Sequence, residues 1–65
     1  MRRSTILIGT LKEAGGGFIV LTPNLHIILP QGMTATELVR GERLMVTASD
    51  REGHWVAEKI ERYPA

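Results

Sequence analysis

The chain has 65 residues, 43% of them hydrophobic and 23% charged, a balance that belongs to a folded domain rather than a disordered segment. One domain is the limit at this length, and a chain so short buries only about 60% of the surface its unfolded state exposes, which leaves little room for a deep catalytic pocket. It contains no cysteine, so disulfides and thiolate zinc sites are excluded, and eight Lys and Arg against seven Asp and Glu leave a net charge of only +1.

The elements follow in chain order. Arg2 and Arg3 precede the apolar run Ile6-Leu7-Ile8, which Gly9 and Thr10 cut short. A secretory leader needs about 7–15 apolar residues and a membrane-spanning helix about 20, so the expected location is cytoplasmic. Residues 5–11, T-I-L-I-G-T-L, read as a first strand. A glycine inside a strand marks a bulge or bend, so Gly9 is expected where this strand curls to serve two sides of a barrel. Residues 12–17 form a loop in which the triplet Gly15-Gly16-Gly17 supplies positive φ or a close backbone approach.

Residues 18–22 read as a second strand and residues 25–29 as a third, stopped by Pro30 and joined into a hairpin by the Pro23-Asn24 turn. Thr34 or Thr36 then caps a short helix through Glu37, Leu38 and Val39, with Gly41 as its stop. In the fourth strand, residues 42–49, Leu44, Val46 and Ala48 face one way and Arg43, Met45 and Thr47 the other. Asp50-Arg51-Glu52-Gly53 makes a polar turn into a fifth strand at residues 54–60, and residues 1–3 and 61–65 are expected to be flexible ends of the single domain. Five strands, the first one curled, with a short helix between strands 3 and 4, describe an all-β fold of the five-stranded OB-barrel plan. An SH3-like barrel would need a long early loop and a 3₁₀ turn before its last strand, and the sequence shows neither.

Several stretches carry a closer resemblance. Gly9-Thr10-Leu11-Lys12 followed by Gly16-Gly17-Phe18-Ile19-Val20 resembles the opening of cold-shock-type OB domains. The segment from Leu38 through Gly41 to Val46 resembles that family's Leu-x-x-Gly-x-x-Val, and Gly53, Ala57 and Ile60 sit like its closing motif. The resemblance spans nearly the whole chain and implies single-stranded nucleic-acid binding. The family stacks bases on aromatic residues of strands two and three, since every base offers a π-face. Here Glu13-Ala14 stands where an aromatic is expected, only Phe18 remains of the Gly-Phe-Gly-Phe pair, and Leu25-His26-Ile27-Ile28-Leu29 replaces the aromatic third strand. The aromatic motifs are thus largely missing.

Four residues are candidate nucleic-acid contacts. Lys12 offers a cation to phosphate, and Phe18 is a stacking residue if it faces outward and a core residue if it does not. His26 alternates against Leu25 and Ile27 and so faces away from them. Trp55 either caps one open end of the barrel or serves as a platform. His26 and His54 without carboxylates at ligand spacing predict no metal site. The glycine triplet lacks the Lys-Ser/Thr and the following helix of a phosphate-binding loop. No serine or carboxylate pair has a catalytic context, so neither enzyme activity nor a cofactor is expected. The alternative to RNA or DNA as partner is a protein partner or a homodimer, drawn by the apolar third strand and Ile28.

Overall fold

The structure, a computed structural model, describes residues 4–63. Five strands, β1 (Ser4–Ala14), β2 (Phe18–Leu21), β3 (Leu25–Ile28), β4 (Arg43–Arg51) and β5 (His54–Arg62), form one closed sheet in the order β1-β2-β3-β5-β4. All neighbours are antiparallel except β3 and β5, which run parallel. β5 continues through Glu61 and Arg62, two residues into the stretch expected to be a flexible end. Residues 1–3 and 64–65 lie outside the described residues.

Strand β1 does the work of two. Its first part, Ser4 to Thr10, pairs with β4, and its second part, Leu11 to Ala14, pairs with β2. Gly9 sits next to the changeover, where a Cβ would lie 2.8 Å from the Thr22 carbonyl oxygen and 3.0 Å from Leu21 Cβ. This glycine, expected at a bulge or bend, stands where the strand changes partner, and what it supplies there is close approach. A bulge follows between Leu11 and Glu13, which adds the twist that a curled strand needs.

Alternation fills the interior. Leu11, Ile19, Leu21, Ile27, Leu29, Leu44, Val46, Ala48 and Ala57 are buried in one cluster, with inward positions two apart along β2 and β4. The expected faces of the fourth strand are the observed ones. The second hairpin turns on two residues: Arg51 pairs with His54, and both Glu52 (φ 53°) and Gly53 (φ 85°) are left-handed. Asp50 Oδ1 accepts a hydrogen bond from the Gly53 N–H at 3.1 Å and holds the turn.

The helix expected between strands three and four is absent, and no residue of the described chain is helical. The chain makes successive turns instead, with N–H donors at Met33, Leu38 and Glu42 bonding the carbonyls three residues back. Spacing explains the difference. Met33, Ala35 and Leu38 all pack on the core, and steps of two and three residues cannot share one helical face. Thr34 and Thr36 bring their hydroxyls to 3.4 Å of each other rather than capping. Gly41, expected to stop the helix, has a positive φ (92°) but ends a turn instead, and its N–H donates to the Leu11 carbonyl at 2.8 Å. The segment is also tied down at its far end: Arg62 Nε donates to Glu42 Oε2, and Glu42 Oε1 accepts from the Val39 N–H.

Candidate functional site

The register of the sheet decides which side chains meet on its outer surface. Phe18 opens β2 opposite Ile28 of β3, and Ile28 is level with Val56 of β5, which faces Ser49 of β4. Ile27 and Trp55, one step earlier on β3 and β5, form an inward pair. Carrying the parallel register back one further residue sets His26 level with His54, and His54 pairs with Arg51 on β4. Two rows therefore cross the same outer face: Phe18, Ile28 and Val56 in one, and His26, His54 and Arg51 in the other, with Val20 of β2 beside His26 but buried. They lie two residues apart along each strand, about 6.7 Å.

The first row is apolar, with Phe18 and Ile28 open and Val56 half-buried. Phe18 is 39% exposed and Ile28 41%. Phe18 owes its position to Gly15, whose missing side chain leaves room for the ring: a Cβ there would stand 2.2 Å from Phe18 Cε1. The Gly15 N–H donates to the Phe18 carbonyl at 3.0 Å, so the loop and the ring are fixed together. The glycine triplet thus provides a close approach, while its φ angles stay out of the left-handed region.

The second row is polar and includes the Arg51 guanidinium. His26, His54 and Arg51 are exposed on three adjacent strands, across about 10 Å of sheet. Lys12 is exposed at the β1 bulge, where Leu11 pairs with Leu21 and Glu13 with Val20 and the lysine is left between them. Glu13, opposite Val20, is the acid nearest this row on the β1 side. Asp50 and Glu52 flank Arg51, and the Asp50 carboxylate is engaged with the Gly53 N–H.

The four residues singled out from sequence therefore divide. Phe18 and His26 share the outer face of β2 and β3, and Lys12 stands at the neighbouring strand. Trp55 is half-buried, faces inward and packs on the core. Sequence reasoning weighed His54 only as a metal ligand and did not single out Arg51 as a contact. Their signal was the parallel β3–β5 pairing, because only that register brings a residue 28 positions later level with His26.

Beside this face lies a cleft of about 360 Å³, walled by residues 15–17 on one side and residues 33–36 on the other, with Leu29 between them. Among the described residues no three His, Cys, Asp or Glu side chains come together to hold a metal ion, and no helix is long and apolar enough to cross a membrane. No protein-family model, curated protein or solved structure matches this chain, so the geometry of its own outer face is what bears on its role.

Proposed function

We propose that this chain is an OB-type binding module, without catalytic activity, whose ligand is single-stranded RNA or DNA. The observation that carries the proposal is the pair of rows on the outer face. An exposed phenylalanine and two aliphatic side chains offer a surface for bases, and three cationic or protonatable side chains run alongside at the distance a backbone phosphate would occupy. The strand order, the curled β1 and the parallel β3–β5 pair support the OB plan. A net charge of +1 is compatible with binding of modest affinity, which needs only a few phosphate contacts.

Titration of the protein with short oligo-dT and oligo-U at low salt tests the proposal. Amide resonances of Phe18, His26, Ile28 and His54 should shift together, and binding should weaken as salt rises, with a logarithmic slope of about −0.7 per phosphate contacted. Saturating oligonucleotide that leaves those amides unmoved would overturn it.

A second reading rests on a different surface. Ile6 and Ile8 are 59% and 46% exposed on the outer side of β1, and Ile8 pairs with the half-buried Met45. Apolar side chains grouped on so small a domain favour self-assembly through this face. Sedimentation across a concentration series separates the two readings, since a strict monomer leaves only the first.

A further inference from the structure

The cleft beside Phe18 has a chemistry of its own. Its floor and one wall are apolar: Leu29 is buried in the core, and Met33 and Ala35 pack against it. The hydroxyls of Thr34 and Thr36 stand at its rim, 3.4 Å apart. The opposite wall is main chain, because Gly15, Gly16 and Gly17 have no side chains, and a Cβ on Gly16 or Gly17 would meet nothing within 4 Å. Among the described residues no charged side chain lines the cleft.

Such a lining selects its occupant. A charged group would give up part of its water and find no counter-charge among the described residues, which is unfavourable. A purely aliphatic group would make no use of the threonine hydroxyls at the rim. An uncharged planar ring with hydrogen-bonding groups on its edge meets both conditions: its faces lie against Met33 and the flat glycine peptides, and its edge reaches the threonines. The volume, about 360 Å³, is at the small end of ligand sites and suits one ring system rather than an extended molecule.

Position says where that ring comes from. Gly15 belongs both to the cleft wall and to the contact that fixes the Phe18 ring. The Leu29 N–H donates to the Gly17 carbonyl at 2.9 Å, which joins the end of the β2–β3 hairpin to the same wall. A strand lying along Phe18 and Ile28 therefore reaches the cleft with its next nucleotide. We infer that the cleft between residues 15–17 and residues 33–36 is a pocket for a single unpaired nucleobase, read on its edge by Thr34 and Thr36. This rests on the nucleic-acid reading above, which the Phe18 face carries separately.

The test uses the four free ribonucleosides and short oligo-U, followed by the Met33 methyl resonance and the amides of Gly16 and Gly17. Nucleosides should shift these signals at millimolar concentration without shifting His54. Thr34→Val and Thr36→Val should each weaken the nucleoside that binds tightest by about 5-fold, the worth of one neutral hydrogen bond. Phe18→Ala should weaken oligo-U but leave the nucleoside response intact. If oligo-U moves the Phe18 face while neither ligand moves Met33, the base pocket is refuted and the binding face stands. If nucleosides move Met33 but oligo-U moves nothing on the face, the pocket stands and the single-strand reading fails. Nucleoside binding that is indifferent to both threonine variants removes the edge-reading role.

Discussion

Gly9→Ala and Gly16→Ala are the same chemical change and should have opposite effects. At Gly9 the new methyl carbon would stand 2.8 Å from a backbone oxygen, that of Thr22, and 3.0 Å from Leu21 Cβ. Neither neighbour is free to swing aside. Thr22 is held to β1 twice, its N–H donating to the Thr10 carbonyl at 2.9 Å and its hydroxyl accepting from the Thr10 N–H at 3.1 Å. Leu21 is fully buried. Forcing a methyl into such a contact costs about 1–3 kcal/mol, against a gain of about 0.4–1 kcal/mol from the stiffer unfolded chain, so the clash wins. Each kcal/mol moves the midpoint of a 60–100-residue domain by about 4–8 °C, and Gly9→Ala should melt roughly 5–15 °C lower. Gly16 has open space around it and no left-handed φ, so its alanine should melt at the same temperature or a few degrees higher. Thermal and urea unfolding followed by circular dichroism measure both. If Gly9→Ala is as stable as the parent, β1 does not depend on close approach to turn between its two partners.

The other expectations are smaller in scope. Glu52 is a non-glycine residue with left-handed φ in a two-residue hairpin turn, so Glu52→Asn should stabilise by about 0.5–1 kcal/mol in urea unfolding, and a loss of stability would contradict the turn. Phe18→Ala should weaken oligo-dT about 5- to 150-fold, the range for one stacked base, while Trp55→Phe, altering an inward side chain, should leave affinity nearly unchanged. Gly15→Ala should push the Phe18 ring aside and weaken oligonucleotide binding with little loss of melting temperature, because the obstructing atoms belong to a side chain that can move. The hydrogen bond from Arg62, helped by that from the Val39 N–H, holds the Glu42 carboxyl below its ordinary value of 4.5 against the opposing effect of desolvation. This pair therefore stabilises the fold above that value and ceases to do so as the pH falls through the lower folded-state value. Arg62→Met should flatten that part of a stability profile taken in acid.

What could be read from the sequence was whatever local chemistry determines. Alternation placed Leu44, Val46 and Ala48 inside, and the proline, asparagine and glycine punctuation located all five strands. The segment between β3 and β4 misled because threonine, glutamate and leucine near a glycine satisfy helix-end rules, while the decisive fact was where Met33, Ala35 and Leu38 had to reach. Strand ends also ran past their expected limits, since Lys12 to Ala14 and Arg51 find partners across the sheet whatever their own β preference. The outer face was legible only in part. Strand parity pointed His26 away from its apolar neighbours, but nothing local could bring His54 and Arg51 beside it. That arrangement depends on the offset between two strands separated by the longest loop and a whole hairpin.

The closure of the sheet is uneven. Eight residue pairs join β4 to β5, but only two, Ile27 with Trp55 and Ile28 with Val56, join β3 to β5, so the ring should part first along that short seam. An opened seam presents two unpaired strand edges, the kind of surface through which small β proteins aggregate. His26 and Ile28 lie on one side of it and His54 and Val56 on the other. A nucleic-acid strand resting on both rows would span the seam like a clasp, and a bound chain would resist clumping as well as gain affinity.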